Sequence, residues 1–159
     1  ASACFVPGPD WRYGVSAQIF RDFAKGLGED YRATLDRFVA LEAFGSDHAK
    51  EEIRELRAEL FARGEPAARI LIDGLRILES TDQRPLLARL RVPSVWIAGR
   101  RDRLVDPRAM RDTVAMIEQA GHAPATFAQI EHAGHAPFLT HVDEVVAQLT
   151  PFLSGSVAQ

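Results

Sequence analysis

Val92-Pro93-Ser94-Val95-Trp96-Ile97-Ala98-Gly99-Arg100-Arg101-Asp102 is the stretch that decides the fold. A run of β-branched and aromatic residues meets a glycine and then a charged cluster, which is the composition of a buried strand stopping at a sheet edge. Pro93 is tolerable near the start of such a strand, because only one ladder donor is lost there. Downstream, Asp106-Pro107 offers a cap and a first-turn proline for a helix bearing Met110, Val114 and Ile117. Residues from Pro124 to Ile130 read as a second short strand, and Val142, Val145, Val146 and Leu149 mark a closing helix that ends before Pro151. Alternation of strand and helix requires a parallel sheet flanked by helices, so the fold class is α/β.

Upstream the pattern changes. Residues 1–6 are apolar and precede Pro7-Gly8-Pro9, as expected of the end of a buried strand opening into a loop. From Ser16 to Ser80 the periodicity is helical. Ile19, Phe20, Phe23 and Leu27 share one face of a first helix stopped by Gly26 and Gly28. Tyr31, Leu35, Phe38 and Val39 repeat the pattern behind Asp30 as N-cap, with Gly45 as terminator. A third helix opens at Ser46 with Ala49, Ile53, Leu56 and Leu60 and ends at Gly64. Pro66 in a first turn opens a fourth, with Ile70, Leu71, Leu75 and Leu78 inward. Asp82 to Leu87 suggests a capped short helix leading back to the sheet. The expected organisation is thus residues 1–15 as the end of a core strand and a loop, 16–80 as a four-helix insertion, and 81–159 as α/β core.

Composition excludes several functions. The 159 residues are 47% hydrophobic and 26% charged, enough for one core and unlike a disordered chain. A formal charge of −3 argues against nucleic-acid partners, which select a basic face. There is no continuous apolar run of the roughly 20 residues that cross a bilayer, so no membrane partner is expected. The lone cysteine, Cys4, has no internal disulfide partner and fits the cytoplasm. Five histidines without ligand spacing call for no metal, and no cofactor motif is present.

Two residues stand out for chemistry. Asp102 follows the strand at the carboxyl edge of the sheet, where open α/β folds bind ligands. His135 lies in Glu131-His132-Ala133-Gly134-His135-Ala136-Pro137-Phe138 and has the intrinsic pKa of a general base. Spacing alone favours plainer roles: a loop carboxylate paired with Arg100, Arg101 or Arg103, and a histidine in a surface turn. Asp106 is the rival acid, although its place before Pro107 explains it as a cap, and His132 is the rival base.

A strand ending in Gly-x-x-Asp, a helix, a short strand and the turn Gly134-His135-Ala136-Pro137-Phe138 resemble the close of the α/β-hydrolase superfamily. Within it, Ala1-Ser2-Ala3-Cys4-Phe5, Thr34-Leu35-Asp36-Arg37-Phe38-Val39-Ala40-Leu41 and His135-Ala136-Pro137-Phe138 are similar to the family of pimeloyl-acyl-carrier-protein methyl ester esterases, over nearly the whole chain. The resemblance implies a serine carboxylesterase of biotin biosynthesis with Asp102 as triad acid and His135 as base, and it makes 16–80 a lid. It implies Phe23, Phe38 and Leu104 as acyl-pocket residues, with Phe5 and Trp11 as weaker candidates. It also turns Arg37, Lys50 and Arg54 toward an acidic acyl carrier protein, although Ala33 departs from a position that can hold arginine, and Asp47, Glu51, Glu52 and Glu55 offer these cations intrahelical partners instead. In this superfamily the nucleophile sits earlier, in a Gly-x-Ser-x-Gly elbow. None occurs in these 159 residues. The expectation is therefore a C-terminal portion, inactive alone, whose partner is the N-terminal portion or a second copy of the chain. Other small α/β hydrolases, of the proline-iminopeptidase or lipolytic type, and a non-catalytic binding protein of the same fold are the alternatives.

Overall fold

The computed structural model describes residues 2–62, 64 and 67–155. Strands β1 (Ser94–Gly99) and β2 (Ala125–Ile130) pair in parallel, with Ser94 opposite Ala125 and Gly99 opposite Ile130. Alternation of side chains along each strand sends Trp96, Ala98, Ala125 and Phe127 to one face and Ile97 and Ile130 to the other. Helix α6 (Pro107–Ala120) covers the first face with Met110, Val114 and Ile117, and α8 (Val142–Leu153) covers the second with Val145 and Leu149. The strand, helix and parallel-sheet reading of 92–149 holds. Asp106 caps α6 as expected, its side chain accepting the Arg108 backbone N–H at 2.9 Å.

Between the first residues and this core lie helices α1 (Ala17–Glu29), α2 (Tyr31–Glu42), α3 (Ala49–Ala62) and α4 (Ala68–Ser80), followed by one turn, α5 (Arg84–Leu87). Asp30 caps α2, accepting the Ala33 N–H at 3.0 Å. Pro66 lies outside the described residues. The short α7 (Pro137–Thr140) joins β2 to α8. Among the described residues no helix is long and apolar enough to cross a membrane.

Four expectations are corrected. Gly26 and Gly28 do not stop α1, which runs on to Glu29. A Cβ at Gly26 would lie 2.7 Å from Thr34 Oγ1, so this glycine serves the close packing of α1 on α2. Among the described residues, the strand end read at 1–6 is reduced to one antiparallel bridge, Cys4 to Asp82, beside which the Ala3 carbonyl accepts the Gln83 N–H at 2.8 Å. Helix α8 continues through Pro151 and ends two residues later, so the missing N–H costs one bond in a last turn. Of the apolar face assigned to α4, Leu71 and Leu75 are half-buried, Ile70 is 65% exposed and Leu78 37%. That helix packs on α1 and presents the rest of its apolar surface outward.

Candidate active site

Asp102 sits in the first turn beyond β1. One carboxylate oxygen, Oδ1, accepts the backbone N–H groups of Leu104 at 2.8 Å and Val105 at 2.9 Å. The other, Oδ2, is 2.8 Å from Nδ1 of His135. The Asp102 side chain is 2% exposed, against 27% for His135. A carboxylate so anchored has no freedom to turn away. The imidazole it orients keeps its second nitrogen for chemistry.

The neighbouring arginines are engaged elsewhere, which removes the plain reading of Asp102 as a surface ion-pair partner. Arg100 pairs with Glu131 at 2.7 Å, and Arg103 lies over the Phe44 ring at 5.8 Å. Arg101 bonds Asp47 and the Gly45 carbonyl, the latter at 3.0 Å. The rival residues are likewise occupied. His132 is exposed and faces Asp47 Oδ2 at 3.3 Å, and Asp106 holds Arg108 at 2.6 Å besides capping α6. Hydrogen bonding to Arg101 holds the Asp47 carboxyl below the usual carboxylate range.

Backbone packing brings the two loops together. A Cβ at Gly99 would fall 2.0 Å from the Gly134 carbonyl and 2.4 Å from that of Ala133, so no larger residue fits at the end of β1. The Arg101 N–H bonds the Ala133 carbonyl at 3.0 Å, and the His135 N–H reaches the Glu42 carbonyl at 3.2 Å. Sequence reasoning missed Glu42. Burial raises its carboxyl above the ordinary value, with His135 opposing the rise and Asp102 adding to it.

The other predicted residues form two separate places. Phe23 and Phe38 meet at 5.3 Å between ring centroids, tilted by 58°. With Ile19, Thr34, Leu41 and Arg37 they line a groove of about 330 Å³ between α1 and α2. Arg37, read as a docking residue, thus borders the groove and bonds Thr34 Oγ1 at 3.0 Å. Leu104 is not part of it: this leucine lines a second, more polar cavity of about 540 Å³ beside Asp102. Lys50 and Arg54 are exposed on α3, and of the acids around them Glu51 faces His48 at 3.5 Å. Glu52, another of those acids, is buried. Trp11 is buried at 3% exposure, its indole donating to the Cys4 carbonyl at 3.1 Å, and it seals the loop, as does its edge-on neighbour Tyr13. Among the described residues no group of three potential ligands could hold a metal.

Solved structures share this fold. An esterase from Exiguobacterium antarcticum superposes with a TM-score of 0.79 over 96% of this chain and 53% of its own, at 16% identity. A bromoperoxidase from Bacillus anthracis gives 0.78 over 96% of this chain and 54% of its own, at 21% identity. Strand order, flanking helices and these likenesses make the chain part of an α/β-hydrolase fold. No family model matches it. In sequence the chain is similar to proteins named pimeloyl-[acyl-carrier protein] methyl ester esterase: that of Stenotrophomonas maltophilia (strain R551-3) is 49% identical over 163 residues, 98% of this chain. That of Xanthomonas campestris pv. campestris (strain B100) is 50% identical over 162 residues, 97% of this chain. The chain spans 58% and 59% of the length of these relatives.

Proposed function

We propose that the complete protein carrying this chain is a serine carboxylesterase that hydrolyses the methyl ester of a pimeloyl group held on acyl carrier protein. The observation that carries the reading is the 2.8 Å contact of His135 with a buried, doubly anchored Asp102, in a chain about half identical to esterases of that name. In this reading residues 81–159 belong to the catalytic core and 16–80 form the lid. The serine comes from a part of the protein outside these 159 residues. His135 takes the serine proton as the oxygen attacks the ester carbonyl, then returns it to the departing methanol; water repeats the cycle on the acyl-enzyme. The phenylalanine groove receives the acyl chain. Arg37, Lys50 and Arg54 guide the acidic carrier, and the reaction belongs in the cytoplasm, where the lone Cys4 stays reduced.

The test is hydrolysis of the carrier-bound methyl ester and of a small soluble ester by the full-length protein. His135→Ala is expected to abolish both activities and His132→Ala to keep them; an active His135→Ala enzyme overturns the assignment. Reversing Lys50 and Arg54, which lie outside the groove, is expected to slow only the carrier-bound substrate, by an amount that shrinks as salt is added. Equal losses on both substrates would remove the docking role.

A further inference from the structure

Glu52 is a carboxylate that the reaction above does not use, and it has no exposed surface. It lies on α3 among Glu51 and Glu55, yet it alone of the three turns inward, toward α7. Its Oε1 accepts two hydroxyls: Ser46 Oγ at 2.6 Å and Thr140 Oγ1 at 2.5 Å. Each donor is itself held. The His48 backbone N–H reaches Ser46 Oγ at 3.2 Å, and Nδ1 of the buried His141 is 3.1 Å from Thr140 Oγ1. Among the described residues Oε2 is buried with no hydrogen-bond partner. A fully buried carboxylate costs several kcal/mol of desolvation unless it is fully hydrogen-bonded, so this one is a poor device for stability alone.

The two hydroxyls flank the catalytic histidine. Thr140 ends the single turn α7, which starts two residues after His135 and whose Pro137 carbonyl accepts the His141 N–H at 2.8 Å. Ser46 ends the turn that follows α2, and Glu42 at its start gives the carbonyl bonded to the His135 N–H. The His135 loop therefore runs between two segments that share one acceptor atom. We propose that Glu52 is a positioning residue for His135: its Oε1 pins the α2–α3 turn and α7 together and so fixes the imidazole against Asp102. This proposal rests on the reading of His135 as the base.

Thr140→Val removes one donor without opening a large cavity, and Glu52→Gln keeps an accepting oxygen at the node. In the full-length esterase, Thr140→Val is expected to lower kcat by about 10- to 100-fold, the scale of a small misplacement of a catalytic group, with KM within about twofold of the parent. The low-field proton signal of the His135 Nδ1–H bonded to Asp102 is expected to broaden or vanish. Thr140→Ser keeps the hydroxyl and is expected to hold both readouts near the parent level, and Glu52→Gln, which keeps the accepting oxygen, is expected to lower kcat less than Thr140→Val does. An unchanged kcat and an unchanged proton signal in Thr140→Val overturn the proposal, as does a change in KM alone or a failure of Thr140→Ser to rescue. His135→Ala, assayed alongside, separates the two claims: activity in that variant defeats the assignment of the base, whereas its inactivity beside a fully active Thr140→Val defeats only the role of Glu52.

Discussion

The junction around Asp102 and the outer helix α4 are built to opposite standards. At the junction each group is fixed by several partners: both Asp102 oxygens are engaged, Gly99 touches the opposing backbone, and His135 is bonded through its ring and its N–H. Helix α4 buries none of its residues, and Ile70 and Ile77 are 65% and 62% exposed. The comparison teaches that apolar content does not measure order. What distinguishes the junction is the number of independent constraints per group, which is what acid–base chemistry demands.

Four changes test how deep that contrast goes, in falling order of effect. Asp102→Asn in the full-length protein keeps the shape but offers an amide where the imidazole needs a carboxylate; turnover is expected to drop by about 10⁴-fold, the scale seen when the orienting acid of such a triad is lost. Ester hydrolysis at saturating substrate measures it, and a loss below tenfold would make Asp102 structural only. Gly99→Ala drives a methyl into the Ala133 and Gly134 carbonyls, and a destabilisation of about 3 kcal/mol or more is expected. Denaturant unfolding reads this directly; a midpoint like the parent's would mean the two loops separate easily.

The third concerns Glu42. Its carboxyl is raised from 4.5 in the folded state, so the fold holds a proton there that the unfolded chain gives up sooner. The stability this contributes is complete below the unfolded value and is lost as pH rises through the folded one. Glu42→Gln is expected to flatten the urea midpoint as pH rises above the ordinary glutamate value and to exceed the parent there. A parallel pair of curves would show that Glu42 is solvated. The smallest effect belongs to Ile70→Ser with Ile77→Ser, expected to stay within about 0.5 kcal/mol of the parent per site because little surface is buried there. A larger loss would mean that something covers α4.

The parts that the sequence made legible are those whose signal is local. Pro107 after Asp106, the apolar run into Gly99 and the Gly134-His135 turn each carry their own chemistry; the structure has α6 and β1 where those signals put them, and it sets the His135 ring against Asp102. Gly26 was misread because a glycine that ends a helix and one that admits a neighbouring side chain look alike until Thr34 is brought beside it. Glu52 was invisible for a similar reason, since in α3 it has the same composition around it as the solvated Glu51 and Glu55. The apolar face of α4 was legible as a face, but a periodic pattern cannot say how much of it is covered. Leu104 borders a different cavity from Phe23 and Phe38, and Arg37 borders their groove, because sequence proximity to Asp102 or to other cations does not determine which cavity a side chain borders.

The bridge between Cys4 and Asp82, reinforced by the Gln83 N–H bonded to the Ala3 carbonyl at 2.8 Å, has a meaning beyond the missing ladder. It makes the start and finish of the helical segment neighbours, so all four helices hang from one clasp as a single long loop. Loop closure grows slowly with length, about 0.6 kcal/mol for each doubling, and the clasp fixes that closure whatever lies between. Evolution can therefore lengthen, shorten or replace the segment without disturbing β1 and β2. The clasp is a socket, and grafting the helical segment of a relative between Cys4 and Asp82 is expected to leave the pairing of β1 with β2 and the contact of His135 with Asp102 unchanged.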